Sequence, residues 1–203
     1  MPGTLLARRQ ALGFMVVGAL LFLNAAAGYA QDDGGWLRAK SWGLNVAYGS
    51  TYRHSIQFYS LLPRIGLFLP RVIDEPLAQY NVHGQWVVEP FVSYVTDASD
   101  SDTEEAGVNL VVLSLRYDWG QPLVPFIEGG AGALYTGLRE RGLGKHFLFS
   151  LPVGVGLEWF FTRTTALTAT YRFRHLSNAG MSSHNTGLNA DFYMLGFSYF
   201  PHR

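Results

Sequence analysis

TALTATYRFRHLSNAGMSSHNTGLN, Thr165 to Asn189, is the stretch on which the reading of the chain turns. Its first half alternates. Leu167, Ala169, Tyr171 and Phe173 point one way and Thr168, Thr170, Arg172 and Arg174 the other, the period of a β-strand. The apolar row then continues into His175 and Ser177, because residues two apart on a strand share a face. An imidazole and a hydroxyl thus stand in line with the greasiest side of a strand, and what they do depends on what that side touches.

The same alternation recurs along the chain. From Phe147 to Phe161 every odd residue is apolar, while the even positions hold His146, Ser150, Gly154, Gly156 and Glu158, with Leu148, Pro152 and Phe160 as exceptions. Val111, Leu113, Leu115, Tyr117 and Trp119 oppose Ser114, Arg116 and Asp118; Ile127, Ala131, Ala133 and Tyr135 oppose Glu128, Gly130 and Gly132. Trp86, Val88, Val92 and Tyr94 oppose Gln85, Glu89 and Ser93, and the last row runs Tyr193, Leu195, Phe197, Tyr199. With two less regular candidates near Leu44–Tyr52 and Ser55–Leu69, the count is eight.

A soluble barrel buries its apolar rows and shows its polar rows to water. Here the polar rows are built from Gly, Ser and isolated charges, and aromatics mark the ends of the apolar rows, the inverted pattern of a small transmembrane barrel. The fold expected is all-β, an eight-stranded antiparallel transmembrane β-barrel. Side chains fill a lumen of that size, so the inward charges Glu89, Arg116, Asp118, Glu128, Glu158, Arg172 and Arg174 should pair with one another. With the N-terminus inside, Val95–Ala106 (acidic), Gly137–Lys145 (basic, with Arg139, Arg141 and Lys145) and Asn178–Leu188 become external loops. Pro70–Asn81 is long for a periplasmic turn.

Composition is compatible with this. The 203 residues include 14 Phe, 11 Tyr and 23 Gly, a mix that favours sheet. The formal charge of +0 does not point to nucleic acid, and the absence of cysteine excludes disulfides and thiolate metal sites. Residues 1–30 read as a signal peptide: Arg8 and Arg9, the apolar run Ala11–Leu23, then Gly28-Tyr29-Ala30 with small residues at the two cleavage positions. That run is short for a bilayer-spanning helix, which needs about 20 apolar residues. The remaining 31–203 form a single domain exported to the bacterial outer membrane.

On the seventh strand, His175 and Ser177 then face lipid near the external end. A base two residues from a hydroxyl on one face is within reach of activating it. The turn-forming Asn178-Ala179-Gly180 supplies backbone N–H groups for an oxyanion hole, and the next strand returns Asn189 and Asp191, either of which can orient the imidazole. The plain alternative is that these residues only mark a strand end.

At these positions the chain resembles the outer-membrane lipid A 3-O-deacylase (PagL) family, also described as acyloxyacyl hydrolases. The likeness lies in Arg174-His175-Leu176-Ser177-Asn178-Ala179, followed by Asn185-x-Gly187-x-Asn189 and a final apolar strand. The resemblance implies an eight-stranded barrel with a Ser-His-Glu triad on its lipid-facing outside. It implies that His175 is the general base and Ser177 the nucleophile, with N–H groups around Asn178 and Gly180 as the oxyanion hole and Asn185 in support. The family's glutamate is matched by Asn189, an amide, with Asp191 two residues further on as a substitute. The expected activity is serine ester hydrolysis of a hydroxyacyl chain of lipopolysaccharide, with no metal or cofactor and with the chain working alone or as a homodimer. The basic loop Arg139–Lys145 would attract lipid A phosphates. The competing readings are a non-catalytic structural or adhesive barrel and an outer-membrane phospholipase or esterase.

Overall fold

A computed structural model describes residues 39–52, 55–97, 102–138, 143–144, 146–183 and 186–201. The proposed signal peptide, Asn185, and all three basic residues of the Arg139–Lys145 loop lie outside the described residues. Eight strands close into one antiparallel barrel: β1 Ala39–Thr51, β2 Ile56–Phe68, β3 Val82–Asp97, β4 Thr103–Tyr117, β5 Leu123–Thr136, β6 Phe147–Phe160, β7 Thr165–Ser177 and β8 Leu188–Tyr199. Each strand pairs with its sequence neighbours, and β8 closes onto β1, so no edge is left open. The β1–β2, β3–β4, β5–β6 and β7–β8 connections share one rim, here called upper. The other three connections form the lower rim.

The rows read from the sequence take the faces expected of a barrel in lipid. Val46, Ile127, Leu151, Val153, Val155, Leu157 and Leu195 are exposed on the outside, flanked at the lower rim by Tyr117, Trp119, Trp159 and Tyr199. So continuous an exposed apolar band is foreign to a water-soluble surface and suits a bilayer. The exceptions in the β6 pattern belong to the lumen. Leu148 joins Phe58, Phe91, Leu134, Leu176 and Phe192 in an apolar plug under the upper rim. Phe160 joins Val124, Ala166 and Phe200 in a smaller one at the lower rim.

Between the plugs lies a charged layer. Arg172 donates to both Glu89 and Glu128, and Arg64 binds Glu128 at 2.6 Å and Glu89 at 3.3 Å. Arg174 reaches Glu105 at 2.7 Å while its guanidinium lies over the rings of Phe192 and Phe58, 4.5 and 4.8 Å from their centroids. Arg116 lies 3.5 Å from Glu158. Pairing of this kind is what lets charges stay buried.

Asp118 follows the end of β4 at Tyr117 and lines the lower mouth of the lumen with Arg116, Val124, Phe160 and Phe200, where it accepts the Gly120 N–H at 3.0 Å. Two expectations need correction. Most of Val95–Ala106 is strand, with β3 running to Asp97 and β4 starting at Thr103, and Glu105 points inward. The cause is a bulge between Asn109 and Val111, which inverts the face of every residue before it. Extending the Leu113–Tyr117 row backwards would have put Glu105 outside. The long Pro70–Asn81 connection holds a short helix, α1 Arg71–Ala78, tied to the lower rim where Asp74 accepts from Lys40 at 3.5 Å and from the Gly84 N–H at 3.4 Å.

Candidate active site

The outward row of β7 ends Tyr171, Phe173, His175, Ser177, while Arg172, Arg174 and Leu176 point into the lumen. His175 lies opposite Leu151 of β6 and Asn189 of β8, and Ser177 lies opposite Phe149. His175 and Ser177 are half-buried at the upper edge of the apolar band, Asn189 is exposed, and Phe149 and Leu151 are exposed beside them. A base and a hydroxyl therefore stand where the membrane face meets the rim.

His175 Nδ1 and Asn189 Oδ1 are 2.6 Å apart. An amide oxygen only accepts, so Nδ1 is the donor of this bond, and in the neutral ring Nε2 is the nitrogen that keeps a lone pair. That is the tautomer a general base needs. Asp191, the other residue considered for this duty, is occupied elsewhere. It faces outward opposite Phe173, is only 5% exposed, and accepts the Tyr171 hydroxyl at 2.8 Å. Of the two, Asn189 is the one that meets the imidazole.

Gly187 forms the floor of the ring. Its φ is +72°, and a Cβ there would fall 2.6 Å from His175 Cε1, 3.2 Å from Nε2 and 3.0 Å from the Leu176 carbonyl. Backbone conformation and space each demand glycine. The sequence motif contained Gly187 without assigning it this duty; a glycine two residues before the orienting side chain was the available signal.

Directly after Ser177 the chain turns through Ala179 and Gly180, with φ of 51° and 81°. The buried Asn178 side chain organises this turn. Its Oδ1 accepts the Gly180 N–H at 2.9 Å, and its Nδ2 donates to the Leu143 carbonyl at 2.8 Å. The Met181 N–H closes the turn onto the Asn178 carbonyl at 3.0 Å. Leu143 and Leu138 are buried in the upper plug, so the turn is anchored to the neighbouring upper connection. The Gly180 N–H, one of the two expected oxyanion donors, is engaged by Asn178 Oδ1 and would have to exchange that partner to serve an oxyanion. The structure thus brings His175, Ser177 and Asn189 onto one face, sets Asn178 and Gly180 in the turn behind Ser177, and places Asp191 one step lower.

Comparison with known proteins gives the family. The model of the family described as lipid A 3-O-deacylase (PagL) matches residues 73–199, more than half of the chain and inclusive of every described residue of this site. No curated protein matches in sequence. The crystal structure of the outer membrane enzyme PagL superimposes with a TM-score of 0.59 at 19% identity, covering 77% of this chain and 98% of that one. Neisserial surface protein A (NspA) gives 0.54 at 15% identity, covering 79% and 94%. At these identities the two structures bear on the fold alone.

Proposed function

This chain belongs to the lipid A 3-O-deacylase (PagL) family of outer-membrane β-barrels, and on that footing we propose that it cleaves an ester-linked hydroxyacyl chain from lipid A by serine–histidine catalysis on its lipid-facing side. The observation that carries the reading is the His175–Asn189 hydrogen bond on the outward face, with Ser177 next along the same row.

The roles follow from the chemistry of the groups. His175 Nε2 takes the Ser177 hydroxyl proton as Oγ bonds to the ester carbonyl carbon. The tetrahedral oxyanion is met by backbone N–H groups of the 178–180 turn, with Asn178 holding the turn in shape and Asn185 in support. As the ester C–O bond breaks, the imidazolium returns the proton to the sugar alkoxide, leaving an acyl-serine. Water, deprotonated by the same imidazole, then releases the fatty acid and restores Ser177. Asn189 keeps Nδ1–H directed throughout. None of these steps calls on a metal or cofactor.

Placement supports the substrate. A site at the edge of the apolar band meets an ester near a lipid headgroup without drawing the lipid out of the membrane, and the exposed Phe149 and Leu151 offer an apolar surface beside Ser177. In this reading residues 1–30 direct export and are removed, the upper rim is external, and the positive charges of Arg139, Arg141 and Lys145 attract the lipid A phosphates.

The test is the refolded barrel in detergent, given purified lipopolysaccharide in one reaction and phospholipid vesicles in another. Release of a hydroxy fatty acid from the first, lost in Ser177→Ala, is the expected result. Release from phospholipid alone would replace lipid A with glycerophospholipid as substrate. Release from neither would favour a structural barrel.

A further inference from the structure

Along the outward rows of β6, β7 and β8, which are otherwise apolar, aromatic or neutral, there is one acidic side chain, Asp191, and one imidazole, His175. A carboxyl on a lipid-facing row is costly and calls for a partner. Because Asn189 opposes His175 and Asp191 opposes Phe173, Asp191 is the diagonal neighbour of His175, at the spacing of about 7–8 Å usual for such pairs. Tyr171 donates to it at 2.8 Å, and the Tyr52 side chain, just past the upper end of β1, lies close enough to interact with it electrostatically. Tyr171 and Tyr193 pack with ring centroids 5.7 Å apart. This screen explains how an outward carboxyl is only 5% exposed.

Serine ester hydrolysis passes through an imidazolium. An acid against Nδ1 would orient the ring and neutralise that charge at once, whereas Asn189 supplies only the orientation. We infer that the two duties are divided between neighbours on β8: Asn189 holds the His175 ring, and Asp191 supplies the negative charge that stabilises the imidazolium from one step down the strand. This rests on the deacylase reading above and makes Asp191 a positioning residue that acts through His175 without touching substrate.

The surroundings leave little else to do it. β6 presents Phe149, Leu151 and Val153 to His175, and the connection before β8 presents Gly187. On β1, Ser50 is in register with Asp191, and Tyr48 and Tyr52 flank it. The nearby Arg172 and Arg174 point into the lumen, where Glu89, Glu128 and Glu105 take them. Among the described residues on these elements, no other acid faces His175.

The experiment measures pH–rate profiles for hydroxy fatty acid release from lipopolysaccharide by the intact chain and by Asp191→Asn, Asn189→Glu and the double variant. Heat-modifiable gel mobility confirms that each barrel is folded. Asp191→Asn preserves the size of the side chain and its capacity to accept from Tyr171. It should lower kcat/KM about tenfold, the size of one nearby charge at intermediate dielectric, and move the acidic limb to lower pH. With a glutamate at 189 the same substitution should change the rate less than about twofold, since the charge is then supplied directly. An unchanged rate and profile in Asp191→Asn would overturn the inference, as would a loss of equal size in both backgrounds. If the intact chain and Asn189→Glu both release nothing, the deacylase reading itself falls and takes this inference with it.

Discussion

Asn189 Oδ1 lies 2.6 Å from His175 Nδ1 across the β7–β8 ladder, so an amide fixes the tautomer of a base that stands on the outside of the barrel. The contact is as direct as a carboxylate would make, and the difference lies in charge. Asn189→Ala should therefore lower kcat about a hundredfold by freeing the ring, with KM little changed. Asn189→Glu should raise kcat above that of the intact chain. Steady-state release of hydroxy fatty acid from lipopolysaccharide separates the two.

Gly187 gives a second prediction, because strain and displacement coincide there. In Gly187→Ala the backbone must hold a positive φ with a side chain, costing about 1–2 kcal/mol. The added methyl also meets the imidazole at Cε1 and Nε2. Activity should fall about a hundredfold through misplacement of the base. The urea midpoint of the micelle-bound barrel should fall by the equivalent of that strain, about 1–2 kcal/mol. A variant with normal activity would show that the ring does not rest on this residue.

The expected effect of Asn178→Ala is a looser turn rather than a lost reactant. The substitution removes the bonds to the Leu143 carbonyl and the Gly180 N–H, at a cost of about 1–3 kcal/mol for groups left unpaired. Hydrogen exchange of the 178–183 amides should accelerate, and kcat should fall with it. Asn178→Asp keeps the acceptor for Gly180 and loses the donor to Leu143, so the difference between the two variants isolates the tether to the neighbouring connection.

Deep in the lumen the prediction concerns stability alone. Arg172→Met leaves Glu89 and Glu128 with Arg64 as their remaining arginine, and breaking a buried pair from one side costs about 3–5 kcal/mol. The unfolding midpoint should drop accordingly. The fraction that remains folded should keep its kcat, since the charged layer lies on the opposite face of the sheet from His175 and Ser177.

Alternation made the barrel legible, because a period of two with Gly, Ser and charge on one side and aromatics on the other has few solutions. The candidate row could be read for the same reason: His175 and Ser177 extend a pattern already established by Tyr171 and Phe173. What periodicity could not reveal were the places where it breaks. The bulge at Asn109–Val111 inverted the face of Glu105 and hid the partner of Arg174. The helix in 71–78 follows a proline and is too short to show a sustained apolar stripe. At the site, sequence left Asn189 and Asp191 as equals, since both share a strand face. Register separated them, placing Asn189 opposite His175 and Asp191 opposite Phe173. Gly187 and the Tyr171–Asp191 bond were beyond reach because each depends on side chains meeting across the ladder.

The most direct test of the central claim is mass spectrometry of lipid A from Gram-negative cells expressing the intact chain, beside cells expressing Ser177→Ala at equal levels of folded outer-membrane barrel. The account expects lipid A lighter by one hydroxyacyl chain with the intact serine and unaltered lipid A with the alanine. Lipid A that loses the chain equally in both would contradict Ser177 as the nucleophile. Lipid A unchanged in both, from disrupted membranes as well as whole cells, would contradict deacylation itself.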